Sequence, residues 1–159
     1  MNDFSSETPK SLEIEKKPLR IIHIEDTEVM IDLIKRVFKK FPADVELVAS
    51  FFSTEEAEEY LIRLKNANKD LPDMIVSDNN LGAAKRSGVQ FSMDLREQGF
   101  EIPVVLLTSD TEQFRSLSEK SLNAMGLTKV LDKLNLTESL VGVLKEISLS
   151  SNMPQNKPQ

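Results

Sequence analysis

The chain has 159 residues, 40% hydrophobic and 29% charged, with a net charge of −6, which is the composition of one ordinary globular core. With no cysteine and a single histidine, His23, it excludes disulfides, Cys/His zinc sites and any nucleophile–histidine triad not built on His23. Its acidic balance disfavours nucleic acid as a partner, no apolar run reaches the roughly 20 residues that cross a bilayer, and its start lacks the basic-then-apolar pattern of a secretory signal, so a cytoplasmic protein away from membranes is expected.

Residues 1–17 are polar and rich in Ser, Glu and Lys, and are expected to form a disordered tail. Leu19–Ile24 reads as a first strand. From Val29 to Phe41, Met30, Leu33, Ile34, Val37, Phe38 and Phe41 recur at helical spacing, and Pro42 ends the helix. Val45–Phe51 is a second strand, and Ser53-Thr54-Glu55-Glu56 is a capping box that opens a second helix. Met74–Ser77 with its flanks makes a third strand, followed by a polar loop from Asn79 to Ser87 and a helix from about Gly88 to Gln98.

Ile102–Leu107 is a continuous apolar run, as expected for a strand buried on both faces. Phe114, Leu117, Ser121 and Met125 fall on one stripe of a fourth helix, with Ser109 or Asp110 as its cap. Leu127–Leu131 is a fifth strand, and Leu140, Val143, Leu144 and Ile147 give a fifth helix its buried stripe. Residues 150–159 combine Pro, Asn and Gln and are expected to form a second disordered tail, leaving 18–149 as the folded domain.

Strand and helix alternate five times. Short connections then imply parallel strands, right-handed crossovers and helices on both faces, a doubly wound α/β sandwich. Such sheets bind ligands at the carboxyl ends of their strands. Reading the residue after each apolar run gives Glu25 and Asp26 after the first strand, Asp78 after the third, Thr108 and Ser109 after the fourth, and Lys133 after the fifth.

Three acids at one rim repel unless a cation intervenes. Mg²⁺ suits them, because it takes oxygen ligands and commonly binds one or two carboxylates plus phosphate oxygens. A lysine ammonium can neutralise an incoming phosphoryl group, and a threonine hydroxyl can donate to one of its oxygens. A carboxylate such as Asp78 can itself be the nucleophile, forming an acyl phosphate. Each residue also has a bland use: Asp26 could cap the helix after Thr27, and Asp78 could be a turn former before Asn79-Asn80. His23, inside a strand, reads as a core histidine. The stretch from Gly82 to Ser87 lacks the glycine-lysine-hydroxyl ending of a Walker loop.

Taken in order, IIHIEDTEVM, DMIVSDNNLG, IPVVLLTSD and GLTKVLDK make the segment from Leu19 to Ile147 resemble the CheY-like receiver domain of two-component response regulators. The resemblance implies a (βα)5 flavodoxin-like three-layer sandwich with sheet order 2-1-3-4-5. It makes Asp78 the phospho-acceptor, with Mg²⁺ held by Asp26, by Glu25 through water, by Asp78 and by the main-chain carbonyl of Asn80. Thr108 becomes the switch hydroxyl and Lys133 the phosphate partner. The usual glycine-to-lysine spacing is met by Gly126 and Lys133, whereas Lys129 would lie within the strand.

Implied partners are a histidine kinase or phosphotransfer protein as donor and a protein target downstream, the chain itself being a signalling protein rather than a turnover enzyme. Little sequence follows the fifth helix, so a stand-alone receiver is the expectation, as a monomer or weak homodimer. Three positions depart from the family pattern: Gly82 and Leu134 stand where proline is usual, and Val130 where an aromatic residue is common. They favour the rival reading, a receiver fold that binds partners without phosphorylation. A phosphohydrolase of the haloacid-dehalogenase type is a poorer fit, because its nucleophile follows the first strand and Asn80 replaces its second aspartate.

Overall fold

In the computed structural model, residues 17–151 are described. Of the expected tails, 1–17 and 150–159, all but Lys17, Ser150 and Ser151 lie outside them, and Ser150 and Ser151 are helical, at the end of the last helix, rather than part of a tail. Five strands form one parallel sheet in the order β2-β1-β3-β4-β5: β1 (Leu19–Ile24), β2 (Val45–Phe51), β3 (Met74–Asp78), β4 (Val104–Thr108) and β5 (Lys129–Asp132). The helices are α1 (Glu28–Lys39), α2 (Thr54–Asn66), α3 (Gly88–Glu97), α4 (Glu112–Arg115), α5 (Glu119–Ala124) and α6 (Leu136–Ser151), the last entered through a 3₁₀ turn, Lys133–Asn135.

Because side chains alternate along a strand, each central strand feeds two cores. Ile21, Met74, Val76, Val105 and Leu107 pack on one face with Ile34, Val37 and Phe38 of α1 and Leu140, Val143 and Leu144 of α6. Ile22, Ile24, Ile75, Val104 and Leu106 pack on the other with Ala57 and Leu61 of α2, Phe91 and Leu95 of α3, and Phe114 of α4. Continuous apolar runs in β3 and β4 are thus the signature of strands covered on both sides. The doubly wound sandwich and its strand order match expectation.

Two differences are instructive. On α1, Ile34, Val37 and Phe38 are buried and Met30 packs against them as the sequence suggests, but Leu33 is exposed and Ile31 is buried instead. The expected fourth helix is two short helices. Ser116 ends α4, and Ser118 opens α5 by accepting a hydrogen bond from the Ser121 N–H at 3.2 Å. Serine competes with the helix for backbone partners, and two serines around Leu117 outweigh a stripe made of only four residues. Nor does Ser109 or Asp110 cap α4; Thr111 precedes it without a side-chain cap.

Candidate functional site

The carboxyl ends of β1, β3, β4 and β5 meet at one rim. Glu25 and Asp26 leave β1, Asp78 ends β3, Thr108 ends β4, and Lys133 follows β5. Glu25 is fully buried, and Asp78 and Thr108 are nearly so, whereas Asp26 is exposed. One oxygen from each of Glu25, Asp26 and Asp78 lies within 4.8 Å of the others. Lys133 Nζ donates to Asp78 Oδ2 at 2.7 Å and stands 3.2 Å from Glu25 Oε2. Lys129 points elsewhere, pairing with Glu146 at 2.9 Å.

Glu25 Oε1 accepts from the Thr27 N–H at 3.2 Å. Its Oε2 has an ion-pair contact with Lys133, but no donor is aimed at it as a hydrogen bond among the described residues, so it retains acceptor capacity. Asp78 Oδ1 accepts from the Asn80 N–H at 3.1 Å, so the turn-forming role is also present. Asp26 does not cap α1; its Oδ1 accepts from the Thr27 hydroxyl at 3.3 Å. Thr108 Oγ1 accepts from the Asp110 N–H at 3.1 Å.

Electrostatics follow from burial and crowding. Burial first, then the charge of Asp78, pushes Glu25 up to about 7, against the opposing pull of Lys133. For Lys133, burial works downward, but the hydrogen bond and charge of Asp78, with Glu25 behind it, raise its pKa above the ordinary lysine value. His23, two residues below Glu25 on β1, is buried with both ring nitrogens unpartnered among the described residues. Burial, then Lys133 and Lys35, lower it to about 4, so it is a neutral core histidine near pH 7.

Three ionised carboxylates beside one ammonium leave an excess of two negative charges. A divalent cation removes that excess, and an all-oxygen donor set with an orphaned buried oxygen fits a hard ion such as Mg²⁺.

Departures from the family pattern have local causes. Gly82 has φ of +120°, which proline cannot adopt. Leu134 follows Lys133 through a trans bond and is 81% exposed. Val130 packs against the α2/α3 core. Gly88 must be glycine, because a Cβ there would sit 2.5 Å from the Asp78 carbonyl oxygen and 2.7 Å from Leu106 Cδ1.

Arg86 escaped the sequence reading. It bonds Thr54 Oγ1 at 3.0 Å, Glu58 Oε2 at 2.8 Å and Asp94 Oδ2 at 3.0 Å. One arginine in a polar loop carries no local signal, and its partners on α2 are about 30 residues away in sequence.

The response regulator receiver domain family matches residues 21–142. Among solved structures, the response regulator domain of Thermotoga maritima CheB is 20% identical, with 86% of this chain and 98% of that one covered and a TM-score of 0.64. The phosphorylated cyanobacterial phytochrome response regulator RcpA is 25% identical, with 86% and 97% covered and a TM-score of 0.59. The isolated REC domain of RcsB from Salmonella enterica serovar Typhimurium, determined with the phosphomimetic BeF3-, is 13% identical, with 83% and 89% covered and a TM-score of 0.64. No curated protein matches the chain significantly.

Proposed function

The chain belongs to the response regulator receiver domain family, and from that premise we propose that it takes a phosphoryl group onto Asp78 from a phosphohistidine on a histidine kinase or phosphotransfer protein. The observation that carries this reading is Lys133 Nζ at 2.7 Å from Asp78 Oδ2, inside a cluster of three carboxylates.

Asp26, Glu25 (through water), Asp78 and the Asn80 carbonyl would hold Mg²⁺. When bound, the ion neutralises the carboxylates and the phosphoryl oxygens. A carboxylate oxygen of Asp78 attacks phosphorus in line; the new O–P bond forms as the P–N bond breaks, and the electron pair returns to the donor imidazole. Lys133 stays charged and turns from Asp78 toward a phosphoryl oxygen. Thr108, whose hydroxyl leans on the Asp110 backbone, re-aims to donate to another. Output then passes through protein contacts on the face of α5, β5 and α6, within a receiver of residues 18–149.

Incubation with acetyl phosphate and Mg²⁺ tests the proposal. An acid-labile phosphoprotein should form and should vanish in Asp78→Asn. Its absence, repeated with a competent kinase, would leave the phosphorylation-independent interaction module standing, for which Gly82, Leu134 and Val130 speak.

A further inference from the structure

We infer that Arg86 is a positioning residue for the carboxylate centre, fixing the loop that leaves Asp78 by clamping it to α2 and α3. The inference rests on the proposed role of Asp78 and names a residue that controls that site from outside it.

The loop spans residues 79–87, and both its ends are tied beside Asp78. The Gly88 N–H donates to the Asn79 carbonyl at 3.1 Å, and the Val89 N–H to Asn79 Oδ1 at 3.2 Å. At the start, the Asn80 N–H reaches Asp78 Oδ1 at 3.1 Å. Between these ends the anchors are local and mostly exposed. The Leu81 side chain is buried, the Gly82 N–H donates to Asn80 Oδ1 at 3.3 Å, and a turn closes from the Lys85 N–H to the Gly82 carbonyl at 3.1 Å, none of which reaches α2 or α3 as a hydrogen bond. Gly82, at φ +120°, adds conformational freedom where a side chain would restrain it.

Arg86 supplies what the backbone lacks. Its guanidinium spends all three nitrogens on three different residues: Thr54 and Glu58 of α2 and Asp94 of α3. It also lies 5.1 Å from the centre of the buried Phe91 ring. The side chain is only 17% exposed, so these contacts are shielded from the screening that makes surface pairs weak. A planar fork reaching three acceptors cannot be copied by lysine, whose ammonium is a point donor. Gln98 donates to Glu58 as well, which holds that carboxylate in place.

The consequence is mechanical. Asn80, whose carbonyl is the proposed metal ligand, lies in the same loop as Arg86, and the loop's path between them rests on the buried Leu81, the Gly82 N–H donating to Asn80 Oδ1 at 3.3 Å, one turn and the clamp. Releasing the clamp should cost ordering of that ligand before it costs the fold, since α2 and α3 keep their own cores.

Mg²⁺ titration by calorimetry on the full chain tests this, with wild type, Arg86→Ala, Arg86→Lys, Glu58→Gln and the control Arg96→Lys. Arg96 braces the carbonyls of Phe100, Ile102 and Gly126, none of which belongs to the carboxylate centre. The expected result is a Mg²⁺ midpoint raised about tenfold in Arg86→Ala, less in Arg86→Lys and Glu58→Gln, and not at all in Arg96→Lys. Amide exchange in the metal-free protein should quicken at Lys85, Gly88 and Val89 in the Arg86 variants only. Midpoints within twofold of wild type, unchanged loop exchange, or an equal shift in Arg96→Lys at matched stability would overturn the inference. Should Arg86→Ala not fold, Glu58→Gln decides by the same criteria. A wild-type chain that binds no Mg²⁺ would instead sink the metal-assisted reading, and the inference with it.

Discussion

Replacing Glu25 with Gln should stabilise the metal-free protein, by an amount set by pH. Glu25 is fully buried and its folded pKa is about 7, above the ordinary 4.5. For an acid with a raised folded pKa, the native state holds its proton more tightly than the unfolded chain. Stability is therefore full below pH 4.5 and is lost as pH rises toward 7. The loss is roughly 3 kcal/mol at pH 8, and Gln, which mimics the protonated acid, avoids it.

His23 works in the opposite direction. Its folded pKa of about 4 lies below the ordinary 6.5, so the unfolded chain binds its proton more tightly. Its contribution is full above pH 6.5 and is lost as pH falls toward 4, by roughly 2 kcal/mol at pH 5. The two titrations oppose each other: between pH 5 and 8 wild-type stability should change less than either group alone would change it. Glu25→Gln removes one of them, so its stability should climb by about 2 kcal/mol from pH 5 to pH 8. His23→Leu removes the other and should fall over the same range by roughly 2 to 3 kcal/mol. Urea denaturation followed by circular dichroism, with a chelator present, measures all three profiles. Parallel profiles for wild type and Glu25→Gln would refute the reasoning, because Glu25 would then already ionise in the folded protein as freely as in the unfolded chain.

Gly88→Ala should destabilise by at least about 2 kcal/mol, since its Cβ would meet the Asp78 carbonyl at 2.5 Å; thermal melting checks this, and a neutral effect would mean that the acceptor strand gives way freely. Val29 and Leu134, 74% and 81% exposed, flank the acid pair and the lysine. Replacing both with Ser should leave stability within about 0.5 kcal/mol and slow transfer from a phosphohistidine protein but not from acetyl phosphate; equal rates from the protein donor would remove them from the docking surface. Asp26→Asn should abolish Mg²⁺ binding, and calorimetric retention of wild-type affinity would reject Asp26 as a ligand. Asn80 and Asp110 stand two residues beyond Asp78 and Thr108, where polar and acidic side chains would help to position an attacking water. The phosphoryl state should therefore be short-lived, and a half-life of many hours on the wild-type protein would contradict that.

The parts of this molecule that the sequence displays are those fixed by strand ends. Glu25, Asp26, Asp78 and Thr108 each stand within two residues of the end of an apolar run, and a parallel sheet carries every such end to the same rim. Lys133 is reached the same way, one residue after β5, while Lys129 belongs to the strand and turns to Glu146. What stayed hidden depends on distant partners. The division of the fourth helix follows from two serines winning over a short stripe, and Leu33 looks like core until α1 is docked. Arg86 is invisible until α2 and α3 stand beside its loop.

That contrast bears on how the centre works. The charged groups are placed by the sheet, whose strands are buried on both faces and resist displacement. Lys133 neutralises one carboxylate and leaves two, so the metal-free rim is held together by one ammonium and by the partial protonation of Glu25 near pH 7. Rigid strands cannot relieve this repulsion by spreading, so the relief must come from outside, as a proton or a divalent cation. A phosphoryl group on Asp78 would bring in more negative charge, and only the cation can offset it without displacing Lys133 from the centre. The loop after Asp78, by contrast, is held by side chains such as Arg86 and Leu81, and it is where an arriving ion would find the proposed Asn80 carbonyl. The sheet therefore sets the need for a cation, and on the proposed ligand set the loop after Asp78 would set how tightly it is met.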